Sequence, residues 1–321
     1  MNQCLPEFEK RFAINPGEIK DNGIDDDRNG YIDDYSGFNF VTMTPNIYMG
    51  NNLSHGQHTG GTILAKGNNN FGIVGVARNG KLLATPFLGT GGGYIDRAVL
   101  AVAYGDMMKS LYPATHNIGR SSNSWGGGSP SSFMDDAIRN AGENDIGFFA
   151  AAGNSAQSQD DPNTAMYPAA YAATNPWVKA VGASSWDNSK AYFSNYGKNN
   201  VAIFAPGVSI LSTLPGGGFG EKSGTSMACP HAAAADHLMR SVHPEWTFLQ
   251  RADSMVKYAK KVAALEPYCQ AGGIIDLSAW IYKGVTDHTE TGVDCVEWPV
   301  DNDAPGKPQN YILTGNPPYG I

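Results

Sequence analysis

The segment Ser223-Gly224-Thr225-Ser226-Met227-Ala228-Cys229-Pro230-His231 sets a hydroxyl just after a glycine turn, at the start of a strongly apolar helical run. There, unsatisfied backbone N–H groups and the positive end of the helix dipole favour a developing oxyanion, and Pro230 is tolerated as falling near the first turn. Two readings are open: a helix N-cap, as serines at helix starts usually are, or a nucleophile. In Ser54-His55-Gly56-Gln57-His58-Thr59-Gly60-Gly61-Thr62-Ile63, two histidines share a helical stretch with three glycines. Each glycine costs a helix about 1 kcal/mol relative to alanine, so something must need this backbone close. Phe148 to Asn154 reads as a buried strand ending in a polar amide, and Ser122-Asn123-Ser124-Trp125-Gly126-Gly127-Gly128 leaves backbone bare enough for an extended peptide to pair with it as an added strand, with Trp125 as an apolar wall.

These residues need a scaffold. Apolar runs (82–87, 118–125, 146–152, 178–182 and 201–205) alternate with amphipathic stretches (95–108 and 133–144), the pattern of a parallel sheet with crossover helices, so the class is α/β. Helices are expected over 55–65, 226–242 and 247–262. Residues 14–40 form an Asn/Asp/Gly-rich loop segment, and 283–321 turn polar and aperiodic, which predicts an irregular tail after a domain spanning 1–282.

The Ser226 segment resembles the nucleophile signature G-T-S-M-A-x-P-H of the subtilisin-like (subtilase) serine peptidases. The His55 segment is similar to that family's H-G-T-H-V-A-G-T-I block, departing at Gln57, Thr59 and Gly60, and Ala151-Ala152-Gly153-Asn154 is similar to its A-A-G-N block. The resemblance implies a three-layer fold with a mostly parallel central sheet flanked by helices, and a serine endopeptidase acting through an acyl-enzyme. It implies Ser226 as nucleophile, His55 as general base, Asn154 as oxyanion donor and His58 as a structural histidine. Ser124, Trp125, Gly126 and Gly127 on one side, with Ala151, Ala152 and Gly153 on the other, are then expected to frame the pocket for the residue before the scissile bond. Protein or peptide substrates, a monomer and a secreted setting follow from the same resemblance.

One family element has no counterpart. The catalytic aspartate belongs to a D-[S/T]-G strand end upstream of a loop resembled by Leu5-Pro6-Glu7-Phe8, and family spacing puts it just before Met1. The expectation is that it lies in sequence upstream of Met1; the alternative is an impaired pseudo-peptidase or peptide-binding domain.

Asp25-Asp26-Asp27-Arg28-Asn29-Gly30-Tyr31 fits the opening of a calcium loop, which makes Asp25, Asp27, Asn29, Tyr31 and Asp33 candidate ligands of a structural calcium; a hydrated acidic turn is the alternative. A net charge of -8 over 321 residues provides no basic stripe for nucleic acid or anionic lipid, and no apolar run approaches a membrane span. Four scattered cysteines make neither a disulfide framework nor a zinc pattern.

Overall fold

The computed structural model describes residues 1, 3–48 and 54–286. Six α-helices are among them: α1 (Ser54–Leu64), α2 (Ile95–Leu111), α3 (Ser132–Glu143), α4 (Thr225–Val242), α5 (Phe248–Lys257) and α6 (Leu277–Thr286). Strands β1 (Arg120–Asn123), β2 (Gly147–Ala151), β3 (Val178–Ser184), β4 (Val201–Pro206), β7 (Lys260–Lys261) and β8 (Gly273–Ile274) form one sheet in the order β1-β2-β3-β4-β8-β7. All its pairings are parallel except β7 with β8. β5 (Ile210–Thr213) and β6 (Phe219–Lys222) make a separate antiparallel hairpin.

Every residue of β2 is buried, which requires cover on both faces of the sheet and accounts for the continuous apolar runs in the sequence. On one face Phe149 meets the ring of Phe248 from α5, edge to face at 5.6 Å. α4 packs along β1, β2, β3 and β4, and its run Ala232 to Ala235, all buried, brings the helix close to the strands.

A buried charge network ties three elements together behind α4. Asp236, wholly buried on α4, accepts from Arg120 Nε of β1 at 2.7 Å and from Arg251 Nε of α5 at 2.8 Å. Removing one partner of such a network strands a buried charge and costs about 3–5 kcal/mol.

Three expectations are corrected. Residues 82–87 form no regular strand; Leu82 and Ala84 make isolated parallel bridges to Phe12 and Gly37. The helix expected over 247–262 ends at Lys257, because Lys260 and Lys261 leave it to pair with β8, an edge too short and polar to stand out by pattern. α6 runs through Thr286, past the expected boundary at 282, and the remainder of the segment expected to be a tail lies outside the described residues.

Candidate active site

Gly224 supplies the turn before the nucleophile segment with φ of 155°, a conformation that side chains rarely adopt, and its N–H donates to Gly207 O at 2.8 Å. Gly224 is the N-cap residue of α4, so Ser226, the second residue of the helix, is not a cap. Its Oγ instead donates to Ser124 O at 3.2 Å, and Ser124 Oγ donates to Ser226 O at 2.7 Å. The second bond explains Pro230. This proline lies inside α4 rather than near its first turn, and lacks the N–H that would bond the carbonyl four residues back, Ser226 O. The Ser124 hydroxyl takes that place, tying the substrate-side segment to the nucleophile turn.

Asn154 follows the end of β2 and is exposed. Its Oδ1 accepts from Thr225 N at 2.9 Å and from Thr225 Oγ1 at 3.0 Å, while Gly153 N donates to Thr225 Oγ1 at 3.0 Å. A backbone N–H only donates, so the atom facing it is the amide oxygen, and Nδ2 is left without a hydrogen bond among the described residues. That Nδ2 lies beside Gly224, 3.5 Å from where a Cβ would be. Thr225, which the sequence reading passed over, is therefore the residue that orients the amide.

His55 sits on the exposed side of α1, whereas His58, one turn later, is wholly buried. His58 Nε2 lies 2.9 Å from Ile210 O and 3.1 Å from Gly220 O, two acceptors that fix the proton on Nε2. Ser212 Oγ donates to His58 O at 2.7 Å and Thr213 Oγ1 to Gln57 O at 2.9 Å, so α1 is fastened to the β5–β6 hairpin at several points. A Cβ on Gly61 would lie 2.4 Å from Thr213 Oγ1, which is the close approach that helix glycines called for; Gly56 faces open space. Although His55 is open to solvent on one side, the protein packed around it, and then the positive charge of Lys222, lower it from the ordinary histidine value, which favours the neutral ring. Burial above all lowers His58 as well.

α1 also packs against α4, which puts the base helix beside the nucleophile helix. Among the described residues, no hydrogen bond joins His55 to Ser226 and no carboxylate bonds His55.

On the substrate side, Trp125 packs edge to face on Phe87 at 4.8 Å, and its indole N–H donates to Asn123 Oδ1 at 3.3 Å. Gly127 N donates to Tyr167 O at 2.8 Å. Ala151 and Ala152 are buried, and Ala152 spends its N–H on Val181 O and its carbonyl on Gln159 and Asn195, so it shapes a wall without a free backbone group. Gly153 has φ of 110°, which turns the chain toward Asn154.

The acidic loop is arranged differently from the expected pattern. Asp25 accepts from Asn29 N and Gly30 N, Asp33 from Asn22 N and Gly23 N, and Asn29 Oδ1 from Tyr31 N, while the Tyr31 ring packs against Phe38 and Tyr104. Of the expected ligands only Asp27 joins the group whose ligand atoms lie within 4.8 Å of one another, and its companions are Glu18 and Asp34. Tyr104 and Asn15 donate to Asp34, Tyr112 and Asn15 to Asp27, yet Glu18 Oε2 is buried without a hydrogen-bond partner among the described residues. Burial raises Glu18 and Asp34; for Asp27 burial acts the same way but is outweighed by hydrogen bonds from Tyr112 and Asn15. An all-oxygen set with one orphaned, buried carboxylate oxygen fits a hard divalent cation.

The Subtilase family profile (peptidase S8) matches residues 17–283. Subtilisin NAT of Bacillus subtilis subsp. natto is 37% identical over 238 residues, 74% of this chain and 58% of that protein. Subtilisin of Bacillus pumilus is 35% identical over 262 residues, 81% of this chain and 88% of that protein. The chain thus spans about 58% of the length of the first of these relatives. Among solved structures, one described as proteases from Pseudoalteromonas arctica PAMC 21717 superposes with a TM-score of 0.62 at 28% identity, covering 71% of this chain and 70% of that one. Matched over most of its length and carrying the histidine, asparagine and serine blocks in that order, this chain belongs to the Subtilase family.

Proposed function

We propose that the chain is the catalytic part of a serine endopeptidase, with Ser226 as nucleophile, His55 as general base and Asn154 as oxyanion donor. The observation that carries this reading is the Thr225 clamp on Asn154 Oδ1, which leaves Nδ2 free beside the turn that presents Ser226. A peptide laid along Ser124 to Gly127 places its scissile carbonyl at Ser226. His55 takes the hydroxyl proton as Oγ attacks the carbonyl carbon, and the oxyanion is met by Asn154 Nδ2 and the Ser226 N–H at the helix start. Collapse breaks the C–N bond, with the proton passing from His55 to the leaving amine; water then repeats the sequence on the acyl-enzyme. Substrates are protein or peptide chains, and a monomeric, secreted enzyme belongs to the same reading.

A second reading, a peptide-binding domain with impaired chemistry, draws on the absence among the described residues of a carboxylate on His55, and on the engagement of Ser226 Oγ with Ser124 O. A fluorophosphonate probe separates the two: Oγ–P forms, P–F breaks, fluoride leaves and His55 accepts the proton. Labelling that disappears in Ser226→Ala supports the peptidase; a well-folded chain that never labels supports the binder.

Glu18, Asp27 and Asp34 are the residues proposed to hold a structural calcium ion, which would offset their mutual repulsion and brace the loop. EDTA should lower the melting temperature and calcium restore it, with Glu18→Gln abolishing the difference; a melt indifferent to EDTA would dispose of the site.

A further inference from the structure

The charge network behind α4 leaves two donors over. Asp236 gives one carboxylate oxygen to Arg120 Nε at 2.7 Å and the other to Arg251 Nε at 2.8 Å. Arg120 Nη1 donates to His237 Nδ1 at 2.7 Å, which makes that nitrogen an acceptor and the imidazole neutral, and Arg251 Nη1 donates to Trp246 O. Arg120 Nη2 and Arg251 Nη2 remain, both sealed from solvent and without a hydrogen-bond partner among the described residues. The Arg251 side chain is wholly buried, and only 11% of the Arg120 side chain is exposed. Two guanidiniums that share one carboxylate are neighbours, so a single small ligand can reach both Nη2 groups.

Charge decides what that ligand is. Arg240 and Lys109 lie close enough to add their fields, yet both bond neutral acceptors: Arg240 the carbonyl and side-chain oxygens of Asn117, Lys109 the carbonyls of Asn144 and Asp145. Four cations thus face two carboxylates, and Asp145 spends Oδ1 on Phe248 N while its Oδ2 lies 3.9 Å from Arg251 Nη1. Burial above all, then the charge of Arg240, pushes Lys109 down to about 8, in keeping with a region short of negative charge. A water accepting from both Nη2 groups would leave that excess standing; an anion satisfies the donors and offsets the charge. We propose that Arg120 Nη2 and Arg251 Nη2 hold a small inorganic monoanion of chloride size in the core where β1, α4 and α5 meet. Asp236 stands ten residues along α4 from Ser226, about 15 Å at the helical rise, so the site is separate from the peptidase reading and acts on stability.

The test melts the full chain in sodium chloride and in sodium bromide against sodium gluconate, an anion too large to be enclosed, at one ionic strength and one calcium concentration. Each halide should raise the melting temperature by about 3 °C along a curve that saturates, as binding to the folded state alone requires. Arg120→Lys and Arg251→Lys each keep a positive charge beside Asp236 but lack Nη2, and in each the halide increment should disappear. Equal melts in halide and gluconate overturn the site, and so does an increment that survives in both folded variants, which would be a general salt effect. Bromide-soaked crystals of the wild type decide the matter without any variant having to fold. An anomalous peak within hydrogen-bond reach of both Nη2 groups supports the site; water there, or no bromide, overturns it.

Discussion

On the side of the proposed nucleophile, Ser226 exchanges hydrogen bonds with Ser124 in both directions, the side-chain amide of Asn154 is held twice by Thr225, and the helix behind them is anchored through Asp236 to β1 and α5. On the base side, α1 is bolted to the β5–β6 hairpin through His58, but His55 itself is exposed and has no hydrogen bond to Ser226 or to any carboxylate among the described residues. The contrast teaches which part of the chemistry this chain carries by itself. Stabilising an oxyanion needs only fixed donors, the part the proposed reading gives to Asn154 and the Ser226 N–H; moving a proton needs a ring held in one orientation, and among the described residues no carboxylate bonds His55.

The largest test of this contrast sets His55→Ala against Ser226→Ala. In a working triad either loss costs about 2 × 10⁶ in kcat, the figure for subtilisin, a member of the same family. Ser226→Ala should abolish phosphonate labelling outright. If His55→Ala labels as fast as wild type, the base side does no work in this chain; if it is as dead as Ser226→Ala, the base functions despite its loose setting. Next in size, Asn154→Leu should lower kcat about 10² to 10³-fold with KM little changed, a range again taken from subtilisin. Thr225→Val keeps the shape but loses the hydroxyl that donates to Asn154, and should cost about ten-fold, the worth of one hydrogen bond of this kind. An effect of Thr225→Val confined to KM would mean that Thr225 does not act through the oxyanion donor. The smallest effect belongs to Lys222, whose positive charge lowers His55. Lys222→Ala removes that repulsion, so the His55 value rises and the acid limb of kcat/KM should move to higher pH; a limb that stays or moves down would show that Lys222 does not face the working base.

Much of the nucleophile side was legible because its parts are contiguous. Glycine before a hydroxyl before an apolar helix is a local pattern, and so is an apolar strand ending in Gly-Asn. What escaped was set by contacts between distant segments. Pro230 could be placed correctly only once Ser124 was seen taking up the carbonyl it frees, across 102 residues. In the acidic loop, the regular spacing of Asp25, Asp27 and Asn29 pointed to a linear ligand set, but Asp25 and Asp33 are spent on backbone N–H groups of their own turns, and Glu18 and Asp34 are folded in beside Asp27 instead. The strand pattern held for β2, β3 and β4, which are largely buried and apolar, but it also marked 82–87, where no regular strand forms, and β7, two exposed lysines, could not be seen that way.

The β5–β6 hairpin gives the centre a short chain of tolerances. His58 rests on carbonyls of both its strands, and β6 runs through Ser223 directly into the Gly224 turn and Ser226. The relative placement of His55 and Ser226 is therefore handed across one hairpin rather than summed over the 171 residues that separate them in sequence. Insertions and drift in the intervening loops can accumulate without reaching the alignment of base and nucleophile, whereas a one-residue slip in the pairing of Ile210 with Lys222 would misalign both at once.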